Sequence, residues 1–192
     1  QSMNWGAGDE NKFQYALRVA AGLGAITLAS GDVLTIGLLQ HGKVTAEFGP
    51  SRGQASLTRL FRFLERIEPD GETDLNRAMR DYSILPRRAG LVILISDLFA
   101  NDGYEAGLRQ LMGRGHEAAL VHVLAPDELD PPLASDIQLV DIETNQTQDV
   151  SLDGGLRERY RTRARAWIQS TQTECRKHNI RYLDVVTSQT WD

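Results

Sequence analysis

Leu91-Val92-Ile93-Leu94-Ile95-Ser96-Asp97 is an unbroken aliphatic run closed by two small polar residues. A run of this kind predicts a strand covered on both faces, the habit of parallel sheets, whose strands must be joined by crossovers rather than tight turns. The flanking sequence has that character. Upstream, Leu57, Leu60, Phe61, Leu64 and Ile67 recur at helical spacing, as do Leu75, Ala78, Met79 and Tyr82 beyond the Pro69-Asp70-Gly71 turn. Further back, β-rich runs at 33–39 and 44–48 flank His41-Gly42-Lys43 as a hairpin, and residues 10–29 have a helical period. Downstream, Asp102 with Glu105 three residues on predicts a capped helix start, and 116–125 predicts a second buried strand. Pro131-Pro132 interrupts the chain, and runs at 137–142 and 148–152 flank the Thr144–Thr147 turn as a second hairpin. A long helix carries Leu156, Tyr160, Ala164, Trp167, Ile168 and Cys175 on one stripe, and 181–187 closes the chain as a strand. Helices alternating with strands predict an α/β sandwich with a mostly parallel sheet and right-handed crossovers, in one domain over 1–192.

Composition narrows the function. The 192 residues are 41% hydrophobic and 24% charged, with a net charge of −5, which speaks against a general nucleic-acid binder. Cys175 is the single cysteine, so an internal disulfide and a structural zinc set are excluded, and a reducing, cytoplasmic setting is expected. The longest apolar stretch, 19–29, is broken by glycines and too short to span a bilayer. The sequence opens on Gln1-Ser2-Met3-Asn4-Trp5-Gly6 without an initiator methionine or a preceding strand, and is expected to be a piece of a longer polypeptide.

In open α/β sheets, ligands bind beyond the carboxyl ends of the strands. Ser2 before the first helix, Thr73 at a loop-to-helix entry and Asp97 at the end of the buried strand fall in or beside that zone. Their oxygen donors suit a hard cation such as Mg2+. Each has a second reading: Ser2 as a terminal loop residue, Thr73 or Asp74 as a helix cap, and Asp97 as a turn cap at the strand end.

Other chemistries find no motif. The sequence has no phosphate loop, no His-Glu-x-x-His pair and no Gly-x-Ser-x-Gly elbow. Gly22 and Gly24 fall inside a helical period, which points to close packing rather than a dinucleotide fingerprint. His41, His116, His122 and His178 are scattered; His122 has the position of a core histidine, and Cys175 that of inert packing. Asp127-Glu128-Leu129-Asp130 reads as a solvated acidic loop.

Several blocks, in order along nearly the whole chain, resemble the DUF58 family, bacterial proteins with a von Willebrand factor type A-like domain. They are Ser2-Met3-Asn4-Trp5-Gly6 followed by Lys12, Ser30-Gly31-Asp32, Gly71-Glu72-Thr73-Asp74-Leu75 and Leu91–Leu98. Gly115-His116-Glu117, Ala125-Pro126-Asp127-Glu128 with Pro131-Pro132, and Leu139–Thr144 complete the match. The resemblance implies a Rossmann-type three-layer sandwich of strand order 3-2-1-4-5-6. It also implies a metal-ion-dependent adhesion site, in which Ser2 corresponds to the last serine of an Asp-x-Ser-x-Ser motif, Thr73 to its threonine and Asp97 to its aspartate. The leading aspartate, the first serine and the strand before them are not in this sequence. The first central strand is therefore expected to be missing and its neighbours separated by an empty slot. Mg2+ or Mn2+ is expected in the complete protein, with a metal-poor site in these residues.

The function so implied is a non-catalytic protein-interaction domain, an adaptor or co-chaperone partner of a MoxR-type AAA+ ATPase. Any membrane attachment would come through segments outside this chain. Two alternatives stand beside it: a Mg-dependent phosphohydrolase using Asp97 and Asp74, and a metal-free interaction domain.

Overall fold

The structure, a computed structural model, describes residues 2–6, 8–71, 74–100, 102–131, 137–140, 147–150 and 154–189. Helix α1 (Lys12–Ala29) leads into a hairpin of β1 (Val33–Gln40) and β2 (Lys43–Arg52), followed by α2 (Leu57–Leu64) and α3 (Leu75–Ser83). Next come β3 (Leu91–Ser96), α4 (Glu105–Gly113), β4 (Glu117–Leu124) and the single turn α5 (Pro126–Leu129). The last elements are β5 (Ile137–Val140), β6 (Thr147–Val150), α6 (Gly154–Lys177) and β7 (Arg181–Val186).

Strands β3, β4 and β7 form a parallel sheet in that order, with Leu91 opposite Glu117 and Ala119 opposite Arg181. Pleating sends alternate side chains to opposite faces. Ile93, Ile95, Val121, Val123 and Val185 meet Tyr15, Ala16 and Val19 of α1. On the other face Leu94, Ala118 and Leu120 pack with Met79 of α3, Leu108 and Leu111 of α4, and Cys175 of α6. The aliphatic run is thus covered by helices on both sides from Val92 onward, while Leu91 at its start is exposed.

The hairpin is a separate antiparallel sheet. Its turn residues His41 and Gly42 both have positive φ, 51° and 67°, the geometry that matches a two-residue turn to the strand twist. Among the described residues, neither β1 nor β3 has a second strand partner, and no ladder joins the two sheets. Helix α1 bridges them. Its first half lies on the parallel sheet, while Leu17, Ala20, Ala21 and Leu28 pack with Leu60 and Leu64 of α2 against Leu34, Ile36 and Phe48 of the hairpin. Close approach is built in at Gly24, where a Cβ would stand 2.9 Å from a Leu60 methyl and 3.0 Å from a Leu34 methyl. Gly22 differs from expectation: it is exposed and a Cβ there would meet nothing within 4 Å, so packing does not require it.

Three further expectations are corrected. Asp102 does not cap α4; Asn76 of α3 does so from a distance, its Oδ1 accepting the Gly107 N–H at 2.8 Å while its amide donates to the Asp102 carbonyl. Tyr160, expected on the apolar stripe of α6, is exposed. The acidic stretch 127–130 is a helical turn with paired carboxylates rather than a solvated loop. The second hairpin forms over β5 and β6, and its turn lies outside the described residues.

Substitution should separate the two kinds of position on α1. Gly22→Ala is expected to raise stability by about 0.5–1 kcal/mol. Leu28→Ala, at a fully buried residue, is expected to cost about 2–5 kcal/mol. Urea denaturation of both variants checks this, and equal effects would contradict the packing described.

Candidate functional site

The chain turns sharply where β3 ends. Ser96 Oγ accepts the Leu98 N–H at 3.1 Å, Asp97 Oδ1 accepts the Phe99 N–H at 3.3 Å, and Leu98 has a φ of 61°. A leucine in the left-handed region costs roughly 1–2 kcal/mol, and here its side chain is buried in the core below. The turn projects Phe99 outward, where it is 46% exposed.

Asp97 itself is only 3% exposed. Its Oδ2 accepts a hydrogen bond from Lys12 Nζ at 2.8 Å. Lys12 opens α1 and is fully buried. The same ammonium donates to Glu128 Oε1 at 2.5 Å, and Glu128 Oε2 accepts the Ala125 N–H at 2.8 Å, capping α5. A buried ammonium is tolerated only when paired and hydrogen-bonded, a condition that the two carboxylates meet. Above it the Phe99 ring lies 5.2 Å from Nζ and stacks on Trp167 of α6 at 5.2 Å. The Lys12 main-chain N–H donates to the Trp5 carbonyl at 3.0 Å, holding another exposed aromatic beside the same residue.

His122, on β4, lies beneath this roof with its ring edge-on to Trp167 at 4.7 Å and its Nδ1 2.8 Å from the Tyr182 hydroxyl. Burial is the main influence on its pKa, lowering it to about 4 against the opposing pull of Asp97 and Asp184; Lys12 adds to the lowering. The Asp97 main-chain carbonyl favours the protonated ring without completing a hydrogen bond to Nε2, which has no partner among the described residues. Cys175 is buried, and its thiol pKa is raised to about 11 chiefly by desolvation. At the outer rim Asp130 accepts from Arg161 Nε at 2.7 Å and from Arg157 Nε at 2.7 Å; these bonds, Arg161's foremost, hold its carboxyl well below the usual range.

Of the residues singled out from sequence, Asp97 occupies the expected strand end. Ser2 lies half-buried in the turn Ser2–Asn4, next to Met3, which packs on the α1 side of the sheet; no hydrogen bond joins Ser2 to Asp97. Thr73 lies outside the described residues. Asp74 caps α3, its Oδ1 accepting the Arg77 N–H at 2.8 Å. Among the described residues there is no group of three His, Cys, Asp or Glu side chains placed to hold a metal ion. Sequence reasoning passed over Lys12 and Glu128 as chemistry. The available signals were a lysine at the start of an otherwise apolar helix face and an acid three residues into the Ala125-Pro126 turn.

These elements define a mixed α/β protein with a parallel three-stranded sheet whose carboxyl edge is closed by a buried ion triad. The family described as "Protein of unknown function DUF58" matches residues 1–170, and the chain belongs to it. Among its relatives, the uncharacterized protein Rv1480 of Mycobacterium tuberculosis is 24% identical over 194 aligned residues, covering 99% of this chain and 60% of that protein. The uncharacterized protein MAV169 of Mycobacterium avium is 28% identical over 105 residues, 55% of this chain and 62% of that protein. The chain therefore spans about three fifths of the length of the former. Its fold is shared with the conserved hypothetical protein BatB of Bacteroides thetaiotaomicron, with a TM-score of 0.55 and 14% identity over 97% of this chain and 86% of that one. It is shared likewise with an aerotolerance-related membrane protein of Bacteroides fragilis, with a TM-score of 0.54 and 14% identity over 96% and 86% of the two chains. No helix among the described residues of the present chain is long and apolar enough to cross a membrane.

Two outcomes test this geometry. Lys12→Met leaves the buried Asp97 and the half-buried Glu128 without their cation and is expected to cost about 3–5 kcal/mol. Adding Asp97→Asn should recover part of that loss in urea denaturation, and additive losses would contradict the pairing. The second concerns His122, which is neutral in the folded and unfolded chain above its ordinary pKa near 6.5. As pH falls from about 6.5 to about 4, the unfolded chain takes up a proton that the folded chain refuses. Stability should then fall by up to about 3 kcal/mol. His122→Gln should flatten that slope when unfolding midpoints are compared across the window.

Proposed function

We propose that the chain is a non-catalytic protein-interaction domain of the von Willebrand A-like class, acting as an adaptor or co-chaperone for a MoxR-type AAA+ ATPase. One observation carries this reading: the Lys12 ammonium saturates Asp97 beneath a roof of Phe99 and Trp167, so the carboxylate is a structural anchor rather than a reactive group. The other nucleophile and base candidates support it. Cys175 is sealed in the core with its thiol pKa raised, and His122 is fully buried. Exposed Phe99 and Trp5 beside the sheet edge supply apolar contact surface of the kind partners bury. Among the described residues β1 and β3 have no second strand partner, and Val33 and Leu91 at their starts are 59% and 52% exposed, which suits the von Willebrand A-like reading, in which a further strand lies between the hairpin and the parallel sheet.

In the related reading, Ser2, Thr73 and Asp97 hold Mg2+ or Mn2+. The residues described here do not fit that ion. Asp97 Oδ2 is occupied by an ammonium at 2.8 Å and Oδ1 by a backbone N–H, and a divalent cation beside Lys12 would face like-charge repulsion in a dry site. The phosphohydrolase reading meets a further obstacle, because Asp74 is engaged as a helix cap.

Co-precipitation of the full-length protein with a MoxR-type ATPase, without nucleotide, tests the proposal. Binding is expected to persist in EDTA. Loss of binding in EDTA and in Asp97→Ala alike would support the metal site instead. Phosphate-ester turnover that disappears in Asp97→Ala would overturn the non-catalytic reading.

A further inference from the structure

Where the hairpin splays from the end of α2 there is a groove of about 810 Å³. Its floor is apolar, with Leu38 and Phe48 from the hairpin and Phe63 and Ile67 from the helix and the turn after it; the two phenylalanine rings are 5.8 Å apart. Its rim carries Arg59, Arg62 and Arg66, all exposed. Arg59 and Arg62 stand one turn apart on α2, and Arg66 follows in the turn beyond its end. None of the three has an ion-pair partner among the described residues. Arg59 lies over the Phe48 ring at 5.9 Å, so one guanidinium is already directed across the floor.

Helix stability alone does not explain this arrangement. Arg59 and Arg62, like charges three residues apart on the helix, repel at a cost of a few tenths of a kcal/mol. Arg62 in the last turn complements the helix dipole, but Arg59 in the first turn opposes it. The patch also runs against the chain's net charge of −5.

We propose that this groove docks an acidic segment of a partner protein, with carboxylates on the arginine rim and an apolar side chain on the phenylalanine floor. The inference rests on the interaction-domain reading and names the chemistry of the partner. The lining favours a peptide over a nucleic acid. Glu68 and Asp70 close one end, which would repel a phosphate backbone running through but leaves room for a short acidic segment. The concave apolar floor likewise suits an inserted side chain better than a flat membrane surface.

Fluorescence anisotropy on the full-length protein tests this with a labelled peptide carrying Glu at i, i+3 and i+7 and Leu or Phe between them. Controls are the same peptide with Gln for Glu, labelled oligothymidylate, and phosphatidylglycerol vesicles. The acidic peptide is expected to bind at least about tenfold more tightly than the Gln version, with affinity falling as salt rises. Arg62→Glu combined with Arg66→Glu should weaken it about tenfold or more; both residues are exposed, and an unchanged circular dichroism spectrum and unfolding midpoint confirm the fold. Equal binding of the two peptides, or no effect of the double variant, would overturn the proposal. An arginine-dependent preference for oligothymidylate or vesicles would overturn it too. If the peptide assay fails while ATPase co-precipitation persists in the double variant, the groove assignment fails and the interaction reading stands. If wild type does not co-precipitate, that reading fails while the peptide assay still decides the groove.

Discussion

One ammonium group holds three parts of the chain together. Lys12 Nζ joins the start of α1 to the end of β3 through Asp97 and to α5 through Glu128. A charge this deep has no water to fall back on, so its two hydrogen bonds fix distance and direction at once. Because Glu128 also caps α5 with its second oxygen, and Asp97 braces the Phe99 turn with its own, each carboxylate does two structural tasks. The way α1 lies over the sheet, the path of the turn after β3 and the placement of Phe99 against Trp167 all depend on that contact.

Strands β3 and β4 were legible because burial on both faces leaves a composition signature that needs no knowledge of neighbours. Leu91–Ile95 carries that signature in full. Helices α2 and α3 were legible from apolar spacing, and the first hairpin from Gly42 between β-rich runs. Asp97 was legible as a site residue because it terminates the buried strand. What escaped depends on partners far along the chain: Lys12 meets residues 85 and 116 positions away. A lysine at a helix start reads locally as solvated, and only the fold turns it inward. The same blindness made Asp130 look free, although Arg157 and Arg161 of α6 clasp it. It also assigned the start of α4 to Asp102, when an asparagine on α3 performs that task.

Helix α1 has to serve two sheets that share no hydrogen bonds among the described residues. Its first half needs residues that fit a flat parallel sheet, and Tyr15, Ala16 and Val19 do so. Its second half must let α2 and β1 come close, which is why Gly24 is buried there while Gly22, two residues earlier and on the other side of the helix, has open space. The basic groove lies at the hairpin end of this arrangement and the ion triad at the other, so the two candidate surfaces are built on different sheets.

Leu98 shows how tightly the carboxyl edge is specified. Its backbone sits where glycine or asparagine is at ease, and its side chain sits where only a sizeable aliphatic group fills the space. Glycine would relax the turn and hollow the core; valine or isoleucine would keep some packing but deepen the backbone strain, since branching at Cβ crowds the left-handed region. Methionine alone keeps comparable packing without branching at Cβ, at the backbone cost leucine already bears. The turn that presents Phe99 is therefore a point of very low mutational tolerance, set by opposing steric requirements on one residue rather than by any chemistry it performs.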